Sequence, residues 1–271
     1  MKLNLAEFIR TLIGKASLGS RSEKILSGRF GLGKKKRETL QALGDRYSIT
    51  RERVRQLEEQ AMRDIRRALA ALAEREEIIA VAKRHLDAVG GVREHGLFVR
   101  EMERLLGNEG MEGENSRELV FLFDALGYPF FSSADEQCRD FWYADEESRR
   151  AFGGFHDELV RRMKRVERAE EVLWETIRER RLSELVALGY IAASRRIAAN
   201  IYGDVGLAHW ELIVPKTVRA KSYLLLKKTG ESLHFTEIAE RIACHSPTVH
   251  NELIKDPRCK LVGRGMYVVQ E

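Results

Sequence analysis

At 271 residues, with 44% hydrophobic and 33% charged residues, the chain is long enough for two or three domains and apolar enough to build cores, which excludes a disordered protein. No run approaches the roughly 18 consecutive apolar residues of a membrane span. The opening stretch, with Glu7 inside a short amphipathic pattern and no small-residue cleavage site after it, reads as a helix rather than a signal peptide, so a soluble cytoplasmic protein with no membrane partner is expected.

Taken in chain order, apolar residues recur at helical spacing almost throughout. Leu5, Phe8, Ile9, Leu12 and Ile13 form the first stripe, and a short helix over about Arg21–Phe30 stops near Gly31 and Gly33. A helix over Glu38–Tyr47 follows, then a three-residue turn and a long helix from about Thr50 to Leu72. Its inward stripe is Val54, Leu57, Ala61, Ile65, Ala68 and Leu72. Further helices are expected over Glu77–Val89, Leu97–Leu106 and Ser116–Leu126. A hairpin of Pro129–Ser132 and Arg139–Tyr143 closes a winged-helix outline. From Glu147 to about Arg181 the pattern reads as one long charged helix, whose seam of Leu159, Met163, Val166, Ala169, Val172, Leu173 and Ile177 calls for a partner helix. The last unit, a second winged-helix outline, comprises helices over Val218–Lys228, Phe235–Ala243 and Thr248–Lys255, a short strand at Leu233–Phe235, and a hairpin of Cys259–Val262 with Gly265–Val269. The expected fold is mainly α, with helix-turn-helix and winged-helix modules in tandem and short β-hairpin wings. The expected divisions are 1–75, 76–145, 146–205 (a long helix and helical linker) and 206–271.

Charge follows these divisions. Residues 1–75 carry 18 Lys and Arg against 9 Asp and Glu, a net of +9; residues 76–205 carry 19 against 26, or −7; residues 206–271 carry 10 against 7, or +3. A basic module is the electrostatic footprint of a nucleic-acid binder, because each cation set against a phosphate releases counterions.

The segment ETLQALGDRYSITRERVRQLEEQAMRDIRR carries the most chemistry. Ser48 lies in the turn between two helices and Thr50 is placed to cap the second. Side chains in the first turns of such a second helix touch base edges in the major groove. Here those turns offer Arg51, Glu52, Arg53, Arg55 and Gln56, with 51, 52, 55 and 56 on one arc and Val54 and Leu57 turned inward. Arg can pair bidentately with guanine, Gln can read adenine, and a carboxylate can accept from cytosine. A solvated charged face is the ordinary alternative for such a helix.

In order and spacing, RFGL, TL-x-x-x-G-x-x-Y, TRERVRQLE and A-M-R-x-I-R resemble region 4 of the sigma-70 family, over residues 21–69. That resemblance implies that Arg51, Glu52 and Gln56 face the bases of a −35-type promoter hexamer. It places Arg53, Arg55 and the run Lys34, Lys35, Lys36 and Arg37 nearer phosphate. It also implies RNA polymerase as a partner, gripped at the β flap through an apolar patch. The chain departs from the family in the basic Lys34–Arg37 loop and in Gly28, which weakens its helix. It also shows no aromatic-rich promoter-melting segment and no polymerase-anchoring helical hairpin, so the opening of DNA by a complete sigma factor is not expected.

Near the C-terminus, HFTEIAERI, TVHNELIKDPR and VGRGMY are similar to the HARE-type winged helix-turn-helix, also found in the RNA polymerase delta subunit and some restriction enzymes. The likeness covers about 215–270. Thr248, His250, Asn251 and Lys255 on the third helix and Arg264 on the wing are its candidate contacts with DNA, against the alternative of a packing module.

Other signals carry less. Gly28-x-x-x-x-Gly33-Lys34 imitates a phosphate loop, but Lys35 stands where Ser or Thr is needed and no strand precedes it. Cys244, His245, His250 and Cys259 fit no zinc spacing, and with Cys138 the odd, scattered cysteines suit a reducing compartment. No catalytic constellation, metal site, cofactor or small-molecule substrate is read from the sequence. Three functions follow: a sigma-like DNA-binding transcription protein, a polymerase-binding modulator that does not read DNA, and the DNA-targeting subunit of a restriction-modification-like system.

Overall fold

The computed structural model describes residues 3–33, 36–108, 116–165 and 169–270. Its chain divides into two compact units, Met1–Gly153 with Leu188–Ala193 and Gly154–Ala187 with Ser194–Glu271. Lys34, Lys35 and Val166 lie outside the described residues.

In the first unit α1 (Leu5–Lys15), α2 (Ser20–Phe30), α3 (Leu40–Tyr47) and α4 (Arg51–Ala70) are followed by α5 (Glu74–Ala88), β1 (Val92–Glu94), α6 (His95–Leu105) and α7 (Ser116–Leu126). A hairpin of β2 (Phe130–Ser132) and β3 (Phe141–Tyr143) closes the set. The sheet runs in the order β1-β3-β2, all antiparallel, with Val92 and Phe130 both opposite Tyr143. This is the winged-helix arrangement, including the strand β1 that the sequence reading lacked. Glu94 ends that strand and caps α6, its carboxylate accepting from the amides of Gly96 (2.9 Å) and Leu97 (2.8 Å).

No gap in packing falls at residue 75. One apolar core joins Leu12 of α1, Met62, Ile65 and Leu69 of α4, Leu86 of α5, Phe98 of α6 and Leu122 of α7. Helix α7 is buried almost all round, at Leu119, Phe121, Leu122, Phe123, Ala125 and Leu126. The third helix of a winged helix is the one that ordinarily enters a groove; here it packs on α1, α2, α4 and α6.

The expected single helix over Glu147–Arg181 is replaced by α8 (Glu146–Met163) and α9 (Ala169–Glu179). Asp145 caps α8 by accepting from Ser148 N at 2.8 Å. The two helices run back along one another: Arg162 Nη1 reaches Glu179 at 2.6 Å and its Nη2 reaches Glu175 at 2.7 Å, while Arg180 meets Glu158 and the Gly154 carbonyl. Leu159 and Met163 of α8, and Val172, Leu173 and Ile177 of α9, are all buried. The polar contacts of Arg162 and Arg180 bring the two halves of the expected helix alongside one another.

Helix α10 (Glu184–Ala193) and an antiparallel hairpin of β4 (Ile197–Ala199) and β5 (Val205–Leu207) follow, where the sequence suggested a helical linker. The second unit ends with α11 (Val218–Thr229), β6 (Leu233–His234), α12 (Phe235–Arg241), α13 (Ser246–Ile254), β7 (Cys259–Gly263) and β8 (Met266–Val269), in the sheet order β6-β8-β7. That order repeats the topology of the first winged helix. Its core is built from Leu225, Leu226, Ile238, Val249, Leu253 and Tyr267. Among the described residues no helix is long and apolar enough to cross a membrane.

Candidate nucleic-acid interface

Helices α3 and α4 form the helix-turn-helix. Thr39 opens α3 by accepting from Ala42 N (3.1 Å), and Ser48 ends it in the left-handed region at φ 53°. Thr50 then caps α4, its hydroxyl accepting from Arg53 N at 3.1 Å. The turn folds tightly over Gly44, where a Cβ would stand 2.7 Å from the Ile49 carbonyl oxygen. A small core of Ile25, Leu43 and Val54, with Leu57 packed against it, fixes the angle between the helices. Gly28 lets α2 approach: a Cβ there would meet Leu43 Cδ2 at 2.9 Å. Arg29 ties α2 to α4 and to the segment leading into α3, reaching Glu58 at 3.0 Å and the Glu38 carbonyl at 2.9 Å.

That frame leaves Arg51, Glu52, Arg53, Arg55 and Gln56 exposed at the start of α4, with Val54 buried beneath. Among the described residues Arg51 has no hydrogen-bond or ion-pair partner. Arg53 Nη1 donates to Gln56 Oε1 at 3.1 Å. Arg55 grips Glu52 bidentately, at 3.0 Å through Nε and 2.7 Å through Nη2, and also pairs with Glu59 one turn on. The hydrogen bond from Arg55 holds the Glu52 carboxyl below the usual range, and the two carboxylates raise Arg55 above its ordinary value. The sequence reading did not anticipate this clamp, though Glu52, Arg55 and Glu59 stand at the i, i+3 and i+4 spacing that produces it.

Of the basic loop, Lys36 and Arg37 are exposed. Arg37 also lies near α7: burial raises the Asp124 carboxyl, and the charges of Arg66 and Arg37 oppose that rise. Thr248 and Asn251 on α13 and Lys255 at its C-terminal cap are exposed, and Arg264 is exposed on the turn of the wing. His250 is turned inward instead, its Nδ1 3.0 Å from the Tyr267 hydroxyl and its ring 4.6 Å from that of Phe235. The apolar sides of α2 and α4 are covered as well. Leu26, Met62, Ile65 and Leu69 lie in the shared core, and Phe30 meets Phe121 edge-on at 5.0 Å.

These features define a helix-turn-helix module whose second helix opens on a side-chain cap and presents polar groups from its first two turns. Residues 16–67 match the family model for Sigma-70, region 4. The chain is 38% identical over 64 residues to RNA polymerase sigma factor sigB of Arabidopsis thaliana, covering 23% of this chain and 11% of that protein. It is 44% identical over 50 residues to RNA polymerase sigma factor SigA of Clostridium acetobutylicum, covering 18% and 13%. The likeness thus spans little more than a tenth of either relative. No solved structure matches.

Proposed function

We propose that this protein is a DNA-binding, sigma factor-like transcription protein. It reads −35-type promoter DNA through the major groove with α4 and works with RNA polymerase in initiation or its regulation. The observation that carries the reading is the start of α4, where Thr50 caps the helix and the Arg51 side chain, without a partner among the described residues, stands beside Glu52 and Gln56 on the exposed face. Arg51, Glu52 and Gln56 are the base-reading groups, Arg51 toward guanine. Arg53, Arg55, Lys36 and Arg37, with Lys34 and Lys35, supply phosphate contacts.

The winged helix at 206–271, HARE-like in its motifs, adds a second contact through Thr248, Asn251, Lys255 and Arg264. His250 serves there through the packing of the wing. The winged helix at 76–145 acts as a scaffold for the recognition module, since its third helix is spent on packing. Polymerase is the proposed partner. A grip on the β flap through an apolar patch would require α1 or α7 to give way, so the exposed polar faces of α2 and α4 are the proposed contact.

Enrichment of bound sequences from a random duplex pool tests this reading. A recovered hexamer whose base preference relaxes at one or two positions in Arg51→Ala supports it, and recovery of no motif refutes it. The Arg55 clamp favours a second reading, a polymerase-binding modulator that does not read DNA. Polymerase binding that survives joint loss of Arg51, Arg55 and Gln56, with no motif recovered, would select it.

A further inference from the structure

The second unit carries a groove of about 470 Å³ bordered by the β4–β5 hairpin, residues 213–215, α11 and the end of α12. Its size lies within the ~300–1,000 Å³ of ordinary ligand-binding clefts. Three large apolar side chains stand exposed around it, Ile201, Tyr202 and Val214, and Ile201 is 88% exposed.

The turn bearing Ile201 is built to hold it there. Asn200 is buried, and its Oδ1 accepts from Tyr202 N at 2.9 Å and Asp204 N at 3.0 Å. Its Nδ2 donates to the Leu212 carbonyl at 3.0 Å and to Asp204 Oδ2 at 2.8 Å. Asp204 is anchored in turn by Lys228. A lone exposed aliphatic side chain needs no explanation. An isoleucine carried into water on a turn that four Asn200 hydrogen bonds hold, on the rim of a groove it shares with two more exposed apolar residues, is preorganised for contact.

Charge narrows the occupant. The charged side chains lining the groove are Lys221 and Arg241, both cationic, and no described carboxylate lines it. Arg241 holds Glu237 at 2.6 Å in an exposed pair that a competing carboxylate can exchange. We propose that this groove docks a segment of a partner protein that combines apolar side chains with carboxylates. The apolar groups seat against Ile201, Tyr202, Val214 and Ile242, and the carboxylates face Lys221 and Arg241. Nucleic acid fits less well, because unpaired bases want stacked rings and this groove offers only Tyr202.

The test uses the full chain and two fluorescein-labelled synthetic peptides, both of alternating Leu and Phe, one spaced by Glu and the other by Lys. Fluorescence anisotropy should show the Glu peptide bound and the Lys peptide weaker by about tenfold or more. Ile201→Ser and Lys221→Glu, both exposed, should each weaken the Glu peptide about tenfold while thermal unfolding stays unchanged. Binding of promoter duplex should not change in either variant, which separates this proposal from the DNA-reading one. Absence of binding, equal binding of the two peptides, indifference to Ile201→Ser, or displacement by a single-stranded oligonucleotide would each overturn it.

Discussion

Replacing Phe121 by Ala asks whether the helix-turn-helix module stands by itself. Phe121 belongs to α7 of the winged helix, yet it is fully buried and its ring meets Phe30 of α2, in the sigma-like module, at 5.0 Å and 73°. Removing a buried phenylalanine costs about 3–5 kcal/mol, from lost transfer energy and the cavity left behind. Against a typical total of about 5–15 kcal/mol, that is a large share. Because Leu26, Met62, Ile65 and Leu69 lie in the same core as Leu119 and Leu122, the loss should be felt by both modules. Native-state hydrogen exchange reads this directly. Amides in Leu40–Tyr47 and Arg51–Ala70 should lose protection in step with those in Glu74–Ala88. Protection of α3 and α4 at wild-type level, beside a loss in α5 to α7, would refute the shared core.

Three further outcomes are expected. Thr50→Ala should cost about 1 kcal/mol of stability through the lost cap on Arg53 N and should weaken specific DNA binding by loosening the turn that carries Arg51; unchanged urea midpoints would count against the cap. Glu59→Gln should release Arg55 from one of its two carboxylates, raising affinity for all duplexes and steepening the salt slope by about 0.9 if the freed guanidinium meets one more phosphate; an unchanged slope would mean Arg55 never reaches the backbone. Burial would raise the Glu101 carboxyl, but hydrogen bonds from His85 (2.8 Å) and Arg93 (2.9 Å) outweigh it and bring it from 4.5 to about 2. A depressed carboxyl stabilises the fold above its unfolded value, so on the order of 3 kcal/mol should be lost progressively as pH falls from about 5 to about 1. Glu101→Gln should flatten that limb of the denaturation curve, and an equally steep limb would contradict the assignment.

What was legible in the sequence depended on local chemistry. Thr50, the run Arg51–Gln56 and the stripe of Val54, Ala61 and Ile65 announce a capped helix with one buried and one exposed face, and the structure forms it. The two wings were readable from their turns and aromatic or β-branched runs, but β1 was not. Three residues, Val92–Glu94, become a strand only by pairing with Phe141–Tyr143. The helical hairpin of α8 and α9 was hidden for the opposite reason: the apolar period of a seam looks the same in one long helix as in two that fold together. The pairings of Arg162 with Glu175 and Glu179, and of Arg180 with Glu158, show the reversal. Ser116–Leu126 is legible as a helix, but its burial almost all round and its cover by α1 and α4 come only with the tertiary packing. Gly44 was visible in the motif, while its reason, the Ile49 carbonyl 2.7 Å from a would-be Cβ, exists only in three dimensions.

The most direct test of the reading of α4 is a salt titration of binding to two duplexes, one with a −35-type hexamer and one scrambled, using wild type and Arg51→Ala side by side. The account predicts that wild type prefers the hexamer, and that Arg51→Ala loses about 1–3 kcal/mol on it with the scrambled duplex little affected. Equal and equally salt-dependent binding to both duplexes, unchanged by the substitution, would contradict it and leave α4 holding phosphate alone.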